Sequence, residues 1–193
     1  MIVRRIAFLF VAFVACAAVG ALPAGAQLPA STAAPVFSAQ VAQGGRVATF
    51  RLHDALAHGP VVLYFFPKSF SSGCTAEAHD FADAIGAYKA LGATVVGISG
   101  DSIATQVKFS TLECRSKFLV AADPGLKIAH AYDAVILGLF ADRTSYVIAP
   151  NGTIVYAYTS LDPDKHVANT LAALRTLTPG SSQAESRDRR RPG

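Results

Sequence analysis

From Val61 to Phe66 apolar residues follow one another without polar alternation. This is the pattern of a strand covered on both faces in a parallel or mixed sheet. Pro67 ends it, and Ser69, Ser71, Ser72 and Gly73 supply loop and cap chemistry. From Thr75 the apolar residues Ala78, Phe81, Ala82, Ile85 and Tyr88 recur at helical spacing until Gly92. Ala93 to Ser99 then predicts a second buried strand, and Asp101 or Ser102 caps a helix running to about Lys117. Upstream, Val36 to Gln40 and Arg46 to Leu52 are short strand signals around Gly44-Gly45, an N-terminal hairpin, and His53 to Gly59 is a turn or a single helical turn. Downstream come a short strand over Phe118 to Ala121, a turn at Asp123-Pro124-Gly125, and a helical turn or two from Leu126 to Tyr132. The pairing of Ser145–Ala149 with Thr153–Tyr158 around Asn151-Gly152 reads as a hairpin. Asp162-Pro163 opens a closing helix that presents Val167, Leu171, Leu174 and Leu177 on one face. Alternating strands and helices with a late hairpin predict an α/β sandwich with helices on both faces of a central mixed sheet.

The ends of the chain change the picture. Arg4 and Arg5 precede the apolar run Ile6 to Val19, and Ala24-Gly25-Ala26 offers small residues for cleavage before Gln27. Residues 1–26 therefore read as a secretory signal peptide, which implies a secreted or periplasmic protein. The run is short for a membrane span, so a membrane partner enters only if the segment stays uncleaved. Lipidation at Cys16 is a poorer reading, because the apolar stretch before that cysteine is short. Residues 27–34, rich in Ala, Pro and Ser, read as a linker to a domain over 35–180, and 181–193 as a disordered basic tail.

The net charge of +4 is carried by those ends. From Gln27 to Gly180 eleven Lys and Arg face eleven Asp and Glu. No basic patch argues for a nucleic-acid partner.

Loss of the leader removes Cys16 and leaves Cys74 and Cys114 in an oxidising compartment, where they could form one disulfide. Their spacing of forty residues excludes a Cys-x-x-Cys redox motif and a four-cysteine zinc site. Cys74 falls in the first turn of the helix after the buried strand. Unpaired backbone N–H groups and the positive end of the helix dipole converge there, a setting that favours thiolate over thiol.

Pro67, Ser71 and Cys74 meet the signature Pro-x-x-x-Thr/Ser-x-x-Cys, and Cys74-Thr75-x-Glu77 continues it. At these residues the chain resembles the peroxiredoxins, within them the bacterioferritin-comigratory-protein or PrxQ-like branch, and the resemblance extends from about Pro35 to Leu177. It implies a thioredoxin-like fold of the peroxiredoxin type and a thiol-dependent peroxidase acting on hydrogen peroxide or organic hydroperoxides. It also implies a thioredoxin-like or other thiol reductant, no cofactor, no metal, and a monomer or homodimer. Cys74 would be the peroxidatic nucleophile. Ser71 would hydrogen-bond the thiolate and receive the peroxide, Arg143 would stabilise the thiolate and orient the substrate, Glu77 would hold Arg143, and Pro67 would shape the loop and shield the thiol.

Two departures stand beside the match. Many members of the branch carry a resolving cysteine five residues after the first, where this chain has His79. Cys114, late on the predicted helix, is either a resolving cysteine or a buried structural one. The second departure is the short segment Asp133 to Asp142, where Ile136, Leu137, Leu139 and Phe140 cluster; a cover for the active-site mouth, a subunit contact and a seat for an apolar peroxide are open readings, and core packing is the simplest account. A reading of another class is a thioredoxin-fold periplasmic copper chaperone without peroxidase activity. Such proteins use a Cys-x-x-x-Cys pair with a distant His, whereas Cys74 and His79 lie about 140° apart around a helix and share no face.

Overall fold

The computed structural model describes residues 27–177. The expected leader with Cys16 and the expected basic tail lie outside them. The strands are β1 (Ser38–Gln43), β2 (Arg46–Arg51), β3 (Val61–Phe65), β4 (Thr94–Ser99), β5 (Leu119–Ala122), β6 (Val135–Ile136), β7 (Phe140–Ala141), β8 (Thr144–Ile148) and β9 (Ile154–Thr159). The helices are α1 (Leu52–Leu56), α2 (Ser72–Ala90), α3 (Ile103–Leu112), α4 (Lys127–Ala131) and α5 (His166–Leu177), the last entered through a 3-10 turn, Pro163–Lys165.

Among the described residues seven strands form one sheet in the order β2-β1-β5-β4-β3-β8-β9, with β6 and β7 paired apart from it. The sheet is mixed: β4 runs parallel to β3 and to β5, while β8 is antiparallel to β3. Every residue of β3 is buried. Because side chains alternate along a strand, Val61, Leu63 and Phe65 pack with α1 and α4, and Val62, Tyr64 and Phe66 with α2, α3 and α5. Helices thus cover both faces, as the apolar rhythm predicts.

Four local expectations need correction. Residues 28–34 are no free linker. Ser31 N–H donates to Ile154 O, Ile154 N–H to Thr32 O and Ala34 N–H to Gly152 O, each at 2.8 Å. Leu28 and Ala34 also join the core. Backbone donors and acceptors pairing with the start of β9 outweigh the linker-like composition.

The helix expected to reach Lys117 ends at Leu112. Cys114 lies in the following turn, where Arg115 and Ser116 adopt positive φ (49° and 60°) that no helix continues.

The closing helix is rotated from the expected face. Its fully buried residues are His166, Thr170 and Leu174, with Val167, Leu171 and Leu177 at the margin. The polar groups are tolerated inside because each is bonded. Tyr88 Oη and Thr170 Oγ1 lie 2.7 Å apart, and His166 Nε2 donates to Ser160 O at 3.0 Å.

Finally, the apolar cluster near 137 is not core. Leu137, Leu139 and Phe140 are 85%, 69% and 46% exposed on the β6–β7 hairpin, since the hairpin stands off the main sheet.

Candidate active site

The loop after β3 is fixed from beneath by β4. Asp101, just beyond that strand, accepts the Ser69 N–H at 2.7 Å and the Ser99 hydroxyl at 2.9 Å on one oxygen. Lys68 Nζ lies 3.1 Å from the other oxygen. Gln106 on α3 donates to Ser99 Oγ (2.8 Å) and to Ala121 O (3.2 Å), which ties loop, strand and helix together. Burial pushes the Asp101 carboxyl up, but the bonds from Ser69, Lys68 and Ser99 outweigh it and hold the group below its ordinary value. Pro67 and Lys68 line a cleft of about 290 Å³ with Asp101, Leu126, Leu139 and Phe140.

The loop delivers Cys74 as the third residue of α2, almost fully buried. Glu77 follows on the same face one turn later. Arg143, immediately before β8, reaches across to both. Its Nη2 lies 3.4 Å from Cys74 Sγ, its Nη1 is paired with Glu77 Oε2, and its Nε donates to Leu161 O at 2.9 Å. Each nitrogen of the guanidinium is thereby engaged, so its charge is presented to the sulfur in one orientation.

Ser71 is placed differently from expectation. Its hydroxyl donates to Lys68 O at 2.9 Å and its carbonyl accepts the Thr75 N–H at 2.8 Å. The side chain closes the loop at the start of α2 and makes no hydrogen bond to Cys74, its hydroxyl hydrogen being given to the Lys68 carbonyl. The structure thus brings Cys74, Glu77 and Arg143 together and leaves Ser71 and Pro67 on the loop that frames them.

Cys114 belongs to the same apolar cluster as Cys74, and both are free thiols. Burial, with Glu113 beside it, pushes the Cys114 thiol far above its ordinary value. Its turn is tied to α2 at two points. His79 Nε2 lies 2.9 Å from Glu113 Oε2, and Arg115 Nη1 lies 2.5 Å from Asp83 Oδ1. His79 therefore serves as a tether for the turn that carries the second cysteine.

A family model described as the AhpC/TSA family matches residues 30–157. The chain belongs to this family, the peroxiredoxins. It is 32% identical over 168 residues to a putative chloroplastic peroxiredoxin Q of Oryza sativa subsp. indica, covering 80% of this chain and 77% of that one. A chloroplastic peroxiredoxin Q of Triticum aestivum is 36% identical over 121 residues, 61% of this chain and 55% of that one. Among solved structures, peroxidoxin BcpB from Mycobacterium tuberculosis superposes with a TM-score of 0.70 at 28% identity, covering 77% of this chain and 97% of that one. The Mycobacterium tuberculosis AhpC shares the fold, with a TM-score of 0.71 at 19% identity over 79% and 94% of the two chains. The protein is a thiol-dependent peroxidase with a thioredoxin-like peroxiredoxin fold. The copper-chaperone alternative finds no support, since the family is a peroxidase family and His79 bonds Glu113 rather than facing Cys74.

Two parts of this peroxiredoxin site escape a reading of motifs. Asp101 is visible only as a candidate cap for the helix after the second buried strand. His166 looks like an ordinary first-turn residue, yet it is fully buried, with Nδ1 2.8 Å from Ser145 Oγ and 3.7 Å from Glu77 Oε1.

Proposed function

We propose that Cys74 is the peroxidatic residue and that Arg143 is its electrostatic partner in the reduction of hydrogen peroxide or an organic hydroperoxide. The observation that carries this is the 3.4 Å approach of Arg143 Nη2 to a buried cysteine sulfur at the N-terminus of α2. The thiolate lone pair forms the S–O bond as the O–O bond breaks, and the departing oxygen takes a proton to leave as alcohol or water. Cys74 is left as a sulfenic acid. Charge develops on both peroxide oxygens during this step, and a fixed guanidinium and the α2 N–H groups lower its energy. Glu77 holds Arg143, while Ser71 and Pro67 frame the approach.

In the same reading Cys114 resolves the sulfenic acid once its turn opens. Its sulfur displaces water to give a Cys74–Cys114 disulfide, which an external dithiol of the thioredoxin type reduces by two electrons. The shared apolar cluster of the two thiols supports this route. Opening is required because a relaxed disulfide needs close α-carbons. The leader-like segment 1–26 supports an exported, periplasmic site of action, in which a disulfide would persist.

The test treats the mature protein with one equivalent of hydrogen peroxide and reads both cysteines by peptide mass spectrometry. A Cys74–Cys114 disulfide is expected. Sulfenic or sulfinic Cys74 beside a free Cys114 would replace the resolving role with an external thiol, and an untouched Cys74 would overturn the assignment.

A further inference from the structure

Neither turn chemistry nor core packing explains the tip of the β6–β7 hairpin. Leu137 and Gly138 have φ of 53° and 67° there, and the Leu139 N–H closes the turn on Ile136 O at 3.2 Å. Two successive positive φ values favour Asn-Gly or Asp-Gly. A leucine in that conformation crowds its own backbone, and this one also stands 85% exposed. Leu139 and Phe140 beside it are exposed as well. Of the eight large apolar side chains exposed among the described residues, these are three, and Phe70 and Leu161 are two more. All five lie on segments that build the candidate site. Phe70 is on the loop that delivers Cys74, the hairpin runs through Asp142 into Arg143, and the Leu161 carbonyl holds the Arg143 Nε–H. Apolar side chains gathered in this way at one site mark a binding surface.

The hairpin also bounds the cleft of about 290 Å³, where Leu139 and Phe140 share the lining with Pro67, Lys68 and, beside α4, Leu126. That volume is at the small end for a ligand cleft. Its charged wall is occupied with itself, since Lys68 Nζ lies 3.1 Å from Asp101, and His130 is the other titratable group on it. One wall continues through Ser71 to Cys74. The other continues to Arg143, and the Asp142 N–H closes the base of the hairpin on Ala134 O at 2.8 Å. The cleft therefore lies between the two chain segments that carry the reacting sulfur and its cation. We propose that the β6–β7 hairpin seats the apolar chain of an organic hydroperoxide, with Leu137, Leu139 and Phe140 as specificity-determining residues that favour a chain-bearing substrate over hydrogen peroxide. The thiolate attacks the terminal oxygen of R–O–O–H in line. The S–O bond forms, the O–O bond breaks, and the R–O oxygen leaves as the alcohol after taking a proton from water. In-line attack points R away from the sulfur. Because Cys74 is almost fully buried, R lies along the walls of the mouth, where chain and hairpin remove each other's apolar surface from water. Hydrogen peroxide has no such group and gains nothing there.

The proposal rests on Cys74 being the peroxidatic thiol, and its test separates the two. Stopped-flow rate constants of the reduced full chain are compared for hydrogen peroxide, n-butyl hydroperoxide and n-octyl hydroperoxide. Wild type should favour the octyl compound over the butyl one. In Leu139→Ser and Phe140→Ser the ratio of octyl to hydrogen peroxide rate constants should fall about tenfold, the scale on which an apolar subsite discriminates. Leu137→Asn is the sharper variant. Asn suits the turn, so the thermal midpoint should hold or rise while the same ratio falls. A ratio unchanged from wild type in the three variants overturns the proposal, as does equal reactivity of the butyl and octyl compounds in wild type. So does a fall of both rate constants together with the sedimentation coefficient, which would make the hairpin a contact with a second copy of the chain. If Cys74→Ser still reacted rapidly with these peroxides, the peroxidatic assignment itself would fall. Loss of all reaction in that variant, with an unmoved ratio in the hairpin variants, would remove this proposal alone.

Discussion

Arg143 Nη2 lies 3.4 Å from Cys74 Sγ, and a β-carbon added to Gly73 would begin 3.2 Å from the same nitrogen. The guanidinium thus occupies the space that a side chain before the cysteine would claim. Arg143→Lys cannot serve Cys74, Glu77 and the Leu161 carbonyl at once from a single ammonium. Its second-order rate constant with peroxide should fall by roughly 10²- to 10³-fold, the usual cost of removing one fixed donor to developing charge. Stopped-flow kinetics on the reduced protein measure it, and a loss below threefold would contradict a catalytic place for Arg143.

Gly97 sits beneath the ring of Tyr64, its cross-strand neighbour; a β-carbon there would meet ring atoms at 2.7 Å. Gly97→Ala should therefore lower stability by about 1–3 kcal/mol through overpacking. The Tyr64 hydroxyl is buried without a partner. Tyr64→Phe should accordingly be neutral or stabilising by about 1 kcal/mol. Urea midpoints of the two variants should move in opposite directions or leave Tyr64→Phe unchanged.

Asp101 gives a prediction about acid. Its folded value is depressed, so its contribution is present above the ordinary carboxylate range and disappears as pH falls through the folded value. Asp101→Asn should lose that contribution at neutral pH and show a shallower acid limb in thermal midpoint against pH. Because the amide leaves a single neutral acceptor oxygen for the Ser69 N–H, the Ser99 hydroxyl and Lys68, the peroxide rate should drop as well. A variant with wild-type kinetics would mean that the cysteine loop is held by something else.

Glu77 has the opposite sign. The folded protein retains a proton on it from its ordinary 4.5 up to about 8, where the unfolded chain has released it. Stability from this group is present at low pH and declines as pH rises through that window, by at most about 1.4 kcal/mol per pH unit. Glu77→Gln should remove this decline, so wild type minus variant should slope downward from pH 4.5 to about 8 in chemical denaturation.

The unbroken apolar run of β3, the cap at Ser102 and the proline after Asp162 made the layers and most boundaries readable, because each depends on local chemistry. Cys74 was legible for the same reason, since the helix start that holds it lies in one short stretch, while the roles of Pro67 and Glu77 came from the family motif that the same stretch carries. Arg143 could be reached only through a family resemblance, since nothing near residue 143 reports a cysteine sixty-nine positions away. His166 was missed because its burial depends on how α5 rotates against β8, which the stronger Val167–Leu171–Leu174 stripe obscured. The pairing of residues 28–34 with β9 was hidden by a composition typical of linkers, and the exposure of Leu137 and Leu139 by a composition typical of cores.

In the proposed cycle the two ties across α2 to the Cys114 turn, His79 to Glu113 and Asp83 to Arg115, would act as a clock. Until they let go, a sulfenic acid formed at Cys74 would wait unresolved, and a second peroxide arriving in that interval would carry it to sulfinic acid, beyond repair by a thiol. On that reading, tighter ties would make an enzyme that removes peroxide well when it is scarce and shuts itself off when it is abundant.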